Sequence, residues 1–329
     1  MPDTPLPGPA DVQAAAQRLA GAALCTPVLR AAALDARVGA PVLIKAECLQ
    51  RTGSFKFRGA YNLIAGLTPQ SRARGVVAFS SGNHAIAVAT AAQMFAISAT
   101  IVMPADAPSA KRDATARAGA RIVLYDRVRE DREAIARAIA DETGAVIAPP
   151  FEHPDIIAGQ GTAGLEFAAQ AREMDVALDT VVACASGGGL VAGVTLGFAA
   201  AGGRQPRVYA AEPEGHDDLR RSLEAGVICA NPPGVRSVCD ALLVDRPGEI
   251  AFALNRTGLA GGLTVSDREV FTAMRVAFED LKIVLEPGGA AALAAVLSGR
   301  IEPSGGGVGV IASGGNVDSA MFTRALMAG

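Results

Sequence analysis

The chain is predicted to be an α/β protein whose parallel strands are covered on both faces by helices. Three observations carry that expectation. Short apolar segments such as Val42-Leu43-Ile44, Val76-Val77-Ala78-Phe79 and Val308–Ala312 recur without polar alternation, as strands buried on both faces require. Segments of helical periodicity separate them. Three strand-to-helix junctions, Ser80–His84, Ser186–Gly189 and Ser313–Asn316, are built from Ser, Gly, Asn and little else, and ligands of open parallel sheets sit at the carboxyl ends of strands.

Taken in order, Asp11 is placed to cap a helix over Val12–Ala23. Val42–Ile44 is the opening strand, and Ala60–Ile64 continues a helix near whose start Lys56 falls. Gly75–Phe79 is a strand and Ala85–Phe95 a helix, followed by the strand Ala99–Met103. Ser109 caps a helix that ends at Gly119, Ile122–Tyr125 is a strand, Asp131–Thr143 a helix and Ala145–Ala148 a strand. The pattern resumes with the helix Ile157–Ala171, the strand Thr180–Ala185, the helix Leu190–Ala201 and the strand Val208–Ala211. Gly226–Gly262, rich in proline and glycine, shows no periodicity. Ser266-Asp267-Arg268-Glu269 is a capping box for the helix Val270–Leu281, and Gly299 closes the helix Gly288–Leu297. No sequence repeat is present, and Pro149-Pro150 is the weakest seam.

Composition narrows the function. Half of the 329 residues are apolar and the net charge is −3, so nothing electrostatic argues for nucleic acid or an anionic membrane. Five cysteines (Cys25, Cys48, Cys184, Cys229, Cys239) form no CxxC, which favours free thiols in a reducing compartment. Met1–Asp11 has neither a basic region nor an apolar core, so a signal peptide is not expected. The apolar window Ala85–Ala105 is interrupted by Gln93, Ser98 and Thr100 and closed by Pro104; a helix followed by a strand explains it better than a membrane span. A soluble cytoplasmic protein is expected.

The chemistry centres on Ser54-Phe55-Lys56-Phe57-Arg58-Gly59. A lysine on an apolar helix face either snorkels to water or is desolvated, in which case its lowered pKa leaves a free amine for an aldehyde. Ser186-Gly187-Gly188-Gly189 ahead of a helix is a phosphate cradle, since glycine lets N–H groups converge on an anion and the helix adds its dipole. Gly187, Gly189 and Gly193, with Glu212 ending the next strand, also approach a dinucleotide fingerprint. The third glycine is one position late, and a nicotinamide oxidoreductase leaves Ser81–His84 and Ser313–Asn316 unexplained.

In order and spacing, Ser54–Ala60, Ser81-Gly82-Asn83-His84, Ser186–Gly189 and Ser313-Gly314-Gly315-Asn316 resemble the pyridoxal-phosphate enzymes of fold type II, closest to serine/threonine dehydratases and serine racemases. The resemblance runs from about Ala10 to the C-terminus. It implies a tryptophan synthase beta-like fold of two doubly wound parallel-sheet domains with the cofactor in the cleft between them, residues 1–74 and 150–329 forming the large domain and 75–149 the small one. It implies that Lys56 carries pyridoxal 5'-phosphate and that Phe55 packs on its ring. Asn83 would bond the ring hydroxyl, Ser186, Gly187, Gly188, Gly189 and Leu190 the phosphate, and Ser313 the ring nitrogen; Glu286 lies where the family places its ring-proximal acid. Ser80, Ser81, Gly82, Asn83 and His84 would bind the substrate carboxylate.

The expected reaction is elimination of water from an L-serine- or L-threonine-type hydroxy amino acid, giving a 2-oxo acid and ammonia. Lys56 is the natural base for the α-proton. Ser313 is too weak an acid to protonate the ring, which suits prompt loss of a β-leaving group. Ser81 matches the racemases' proton donor, although from sequence a helix cap reads the same, so racemisation is an alternative. Arg132 most simply makes ion pairs along its helix; the resemblance also places it where an arginine meets a second carboxylate, pointing to 3-hydroxyaspartate. Glu212, Asp218 and the carbonyl of His216 resemble the family's cation site, an oxygen set suited to Mg²⁺ or Ca²⁺, within a segment that otherwise reads as an acidic turn. A homodimer is usual for such enzymes, and no regulatory C-terminal domain is expected. A binding protein that keeps the fold without the chemistry is disfavoured by Lys56.

Overall fold

The computed structural model describes residues 5–107 and 109–328. Among the described residues ten strands are present: β1 (Val28–Leu29), β2 (Val42–Lys45), β3 (Val76–Phe79), β4 (Ala99–Pro104), β5 (Arg121–Tyr125), β6 (Val146–Ile147), β7 (Leu178–Cys184), β8 (Arg207–Pro213), β9 (Gly261–Val265) and β10 (Gly307–Ile311). They form two sheets, a six-stranded one in the order β1-β2-β10-β7-β8-β9 and a four-stranded one in the order β5-β4-β3-β6. Every pairing is parallel except β1 with β2. All residues of β2, β3, β7 and β10 are buried, which is why these strands read as largely apolar runs without polar alternation.

Two strands and five α-helices (Ala32–Val38, Pro69–Ala73, Asp218–Ala225, Glu249–Gly258 and Ser319–Met327) were not apparent from periodicity. β1 has only two residues. β9 opens on Gly261-Gly262 and is half-buried, so neither alternation nor an apolar run marks it; its ladder with β8, Tyr209 opposite Gly261 through Pro213 opposite Val265, defines it. A Cβ on Gly262 would lie 2.8 Å from Arg220 Cα, so the helix Asp218–Ala225 lies directly on this strand. Glu249–Gly258 is helical within the stretch that lacked periodicity.

Helix ends correct two expectations. The first helix runs Pro9–Leu19, with Asp11 as its third residue and not its cap; the Asp11 carboxylate accepts from Gly8 N at 2.8 Å, the one half of a capping box that a glycine N-cap allows. From sequence His153, standing before Pro154, reads as a loop histidine; in the structure it caps Pro154–Glu173 by accepting from Asp155 N at 3.1 Å. The Ser266–Glu269 capping box is present as expected. The helix Ser109–Arg117 forms, but the cap expected of the Ser109 side chain lies outside the described residues. All five cysteines are free thiols. Among the described residues no helix is long and apolar enough to cross a membrane.

The helix Lys56–Gly66 crosses Pro154–Glu173 at backbone distance: a Cβ on Gly159 would lie 2.7 Å from Gly59 Cα. Beneath this crossing Arg58 is fully buried and saturated. Its Nε and Nη2 donate to Glu47 at 2.8 Å each, and Nη1 and Nη2 donate to Glu166 at 2.7 and 2.8 Å. The buried Lys45 completes the network at 2.6 Å from Glu166. Two cations and two carboxylates thus balance in the interior, where an unpaired charge is costly.

Candidate active site

Lys56 is the first residue of its helix. The preceding loop is zipped to the segment after β10, with Phe55 N donating to Ser313 O at 3.0 Å and Gly315 N to Gly53 O at 2.9 Å. Gly53 has φ +74°, and a Cβ there would overlap the Asn316 amide, so only glycine fits. The Lys56 amine donates to Pro150 O at 2.7 Å and lies 5.0 Å from the centre of the Phe55 ring. Burial lowers its pKa to about 8, against the opposing pull of Cys184 and Glu286. The residue lines a cavity of about 180 Å³. The amine therefore faces a ligand-sized space and does not snorkel outward.

That cavity gathers the residues singled out from sequence. Phe55, the Ser80–His84 loop, Arg132, the Ser186–Leu190 loop, Glu286 and Ser313 all line it. The helix Gly189–Ala201 begins at Gly188, a left-handed N-cap (φ +87°) with no side-chain cap, which leaves its first-turn N–H groups without partners. The loop's acceptors are occupied elsewhere: Gly248 N donates to Gly187 O, Asn255 Nδ2 to Gly188 O and Val244 N to Ser186 Oγ, at 3.1, 3.0 and 3.3 Å. This is an anion cradle at a helix N-terminus.

The helix Asn83–Met94 likewise starts without a side-chain cap, at Gly82. Ser81 therefore does not cap it; the neighbouring Ser80 Oγ instead accepts from Gly82 N at 3.2 Å. His84 is buried, and the 2.8 Å contact of its Nε2 with Ala148 O assigns the ring proton to that nitrogen. Its Nδ1 is buried without a partner. Burial, reinforced by Lys56, pushes its pKa down to about 3, so the ring is neutral.

Asn83 ties the junctions together. Its amide donates to Glu286 Oε1 at 2.5 Å and its oxygen accepts from Asn316 Nδ2 at 2.8 Å. Burial raises the Glu286 carboxyl to about 7, although the Asn83 amide opposes the shift. Ser313 Oγ contacts Cys184 Sγ at 3.2 Å, and burial pushes that thiol up to about 11. Cys184, Phe79, Lys111 and Asp240 also line the cavity but were missed in the sequence. The available signal for Phe79 and Cys184 was position, since each is the last residue of a strand that runs into a site loop. Lys111 and Asp240 meet at 2.6 Å, a pairing that only the tertiary structure creates.

Arg132 makes no ion pair among the described residues; the helix-surface pairs expected of it belong to Arg137, which lies 3.7 Å from Glu133 and 3.9 Å from Asp131. Its guanidinium instead stands 5.5 Å from the centre of the Phe79 ring.

Glu212, Asp218 and His216 lie in a separate place, at the end of β8. Glu212 accepts from Leu219 N and Arg220 N at 2.9 and 2.8 Å. Asn231 donates to Asp218 Oδ1 at 2.6 Å, while Asp218 Oδ2 is buried without a partner. Burial and then the Asp218 charge raise Glu212 to about 8, and burial raises Asp218 to about 6. The His216 imidazole contacts Val235 O at 3.2 Å, away from the carboxylates. Among the described residues no group of three or more His, Cys, Asp or Glu side chains is arranged to hold a metal.

Comparison with known proteins follows the same lines. A family profile described as pyridoxal-phosphate dependent enzyme matches residues 19–314. The L-threo-3-hydroxyaspartate ammonia-lyase of Pseudomonas sp is 42% identical over 317 residues, covering 96% of this chain and 97% of that one. The crystal structure of the T.th. threonine deaminase superposes with a TM-score of 0.88 at 42% identity, covering 95% and 99% of the two chains. Maize serine racemase superposes with a TM-score of 0.90 at 36% identity, covering 98% and 97%.

Proposed function

The chain belongs to the pyridoxal-phosphate-dependent enzyme family, with the architecture of fold type II, and on that premise we propose that it is an ammonia-lyase acting on β-hydroxy amino acids. The observation that carries this reading is the convergence, in one cavity, of the Lys56 amine, two helix N-termini without side-chain caps and the Ser313 hydroxyl. These groups fit the cofactor: an amine of lowered pKa for its aldehyde, the Ser186–Leu190 cradle for its phosphate, Phe55 against its ring, Ser313 at its nitrogen, and Asn83 and Glu286 at its edge. Bound there, pyridoxal phosphate supplies the electron sink that makes the substrate's α-proton removable.

The chain's own residues do the rest. The N–H groups at the start of Asn83–Met94, with Ser80–His84, bind the α-carboxylate. Lys56, part of whose amine is neutral near pH 7, takes the α-proton. Neutral His84, donating to Ala148 O, brings no cation to the carboxylate loop. Loss of the α-proton and the β-hydroxyl removes one water; the released enamine takes one water back and yields a 2-oxo acid and ammonia. Arg132, at the cavity and without an ion-pair partner among the described residues, favours a substrate with a second carboxylate, in keeping with the L-threo-3-hydroxyaspartate named for a 42% identical relative.

A second reading, racemisation, is favoured by one observation. Ser81 neither caps its helix nor hydrogen-bonds among the described residues, so its hydroxyl is free to deliver a proton to the opposite face. The buried, unpartnered Asp218 Oδ2 beside Glu212 fits a hard cation completed by the His216 carbonyl, and we assign Mg²⁺ there. We further read residues 1–74 and 150–329 as the large domain, 75–149 as the small one, and the active form as a cytoplasmic homodimer.

The deciding experiment is a panel of L-serine, L-threonine and L-threo-3-hydroxyaspartate scored for ammonia, 2-oxo acid and chirality. Release of ammonia and 2-oxo acid is expected. Chiral inversion without ammonia would replace the lyase reading with a racemase, and inert substrates would remove both.

A further inference from the structure

Arg132 is oddly placed. It is the first residue of the helix Arg132–Thr143, behind the Asp131 cap, where a cation opposes the helix dipole. No carboxylate pairs with it among the described residues, while Arg137, five residues on, takes the local acids. What it does meet is the Phe79 ring, 5.5 Å from guanidinium carbon to ring centre, within the range of a cation–π contact.

That ring is itself immobilised. Phe79 ends β3 in register with Val102, is 8% exposed, and packs with Val77, Tyr125 and Ala136. Ala136 lies four residues after Arg132 on the same helix face, so the contact that seats the helix on β3 also sets Arg132 over Phe79. The next residue, Ser80, begins the carboxylate loop. The ring therefore links the strand end that feeds that loop to Arg132, which among the described residues is the cavity's one side-chain cation, other than Lys56, without an anionic partner; Lys111 is neutralised by Asp240.

We propose that Phe79 is a positioning residue for specificity: its ring holds Arg132 over the cavity so that the guanidinium selects hydroxy amino acids carrying a second carboxylate. Phe79 acts through Arg132 and touches no reacting atom. The inference rests on the lyase reading above for its substrates, and its test includes a binding arm that does not depend on turnover.

The test uses the holoenzyme with Phe79→Leu, Phe79→Tyr, Arg132→Leu and the double variant Phe79→Leu/Arg132→Leu. The expected result for Phe79→Leu is a fall of about tenfold in the ratio of kcat/KM for L-threo-3-hydroxyaspartate to that for L-serine. Phe79→Tyr, which keeps the ring face, is expected to keep the ratio. The double variant is expected to lose no more of it than Arg132→Leu alone, because contacting residues that act as a unit are not additive. Calorimetric titration with succinate and butyrate is expected to show succinate alone weakened by Phe79→Leu. Equal losses for both substrates, additive losses in the double variant, or unchanged succinate affinity would overturn the proposal. If the wild-type enzyme releases no ammonia from any substrate, it is the lyase reading that fails, and the succinate titration still decides the role of Phe79. Should Phe79→Leu not fold, Phe79→Met provides the ring-less variant.

Discussion

Asn83 Nδ2 donates to Glu286 Oε1 at 2.5 Å. The first residue of the helix after β3 is thereby fastened to the residue preceding the helix Pro287–Leu297, so one hydrogen bond joins the two sheets across the site. Asn316 donates to the Asn83 oxygen from the loop after β10, which fixes the orientation of the amide.

Glu286 carries a pH signature. Its folded pKa of about 7 lies above the ordinary 4.5, so the folded state binds more protons between those values and stability falls as pH rises through that window. Glu286→Gln removes the ionisation and keeps an acceptor for Asn83. Relative to wild type it should gain roughly 3 kcal/mol between pH 4.5 and pH 7 and change no further above that. Urea unfolding of both proteins across that range and beyond it measures the difference; a pH-independent difference would contradict the assignment.

Lys56 is expected to be reactive well below the usual lysine range. In the cofactor-free protein its acylation should be half-maximal near pH 8, read by mass spectrometry of the modified peptide. Lys56→Ala should abolish covalent cofactor retention and lower ammonia release by about a thousandfold.

Ser81→Ala tests proton delivery without disturbing the fold, because the hydroxyl caps nothing. Unfolding free energy should stay within about 0.5 kcal/mol of wild type. Any racemisation of L-serine should disappear while ammonia release persists, as chiral chromatography of the reaction mixture would reveal.

The buried ion network predicts a large stability loss. Arg58→Met strips both Glu47 and Glu166 of their bidentate partner and should cost about 3–5 kcal/mol. Arg58→Lys should recover only part of it, since an ammonium cannot serve two carboxylates in fork geometry. Denaturant midpoints measure both.

At the end of β8, added Mg²⁺ should raise the melting temperature at neutral pH and release protons, because Glu212 and Asp218 are held partly protonated without a cation. Asp218→Asn should abolish both effects in calorimetry and thermal melts.

Much of the site was legible because its parts are local. A lysine at a helix start, a glycine run between an apolar strand and a helix, and Ser-Gly-Asn junctions are each set by a few adjacent residues. Lys111 and Asp240 were not legible, since a surface-type lysine and an aspartate in an aperiodic stretch have no local mark of a site, and Phe79 offered only its place at the end of a strand that runs into a site loop. The Asp11 cap was misplaced by three residues because Pro9 can start a helix and Asp11 then bonds back to Gly8.

The residues alone determined the alternation of buried strands and helices, since apolar runs and caps act through near neighbours and the hydrophobic effect. The close pairing of Arg132 with Phe79, of Asn83 with Glu286 and of Ser313 with Cys184 was decided only by tertiary structure. Each joins groups from 53 to 203 positions apart, and such contacts exist only once the sheets have brought their strand ends to one cavity, where low exposure then sets the protonation of Lys56, His84 and Glu286.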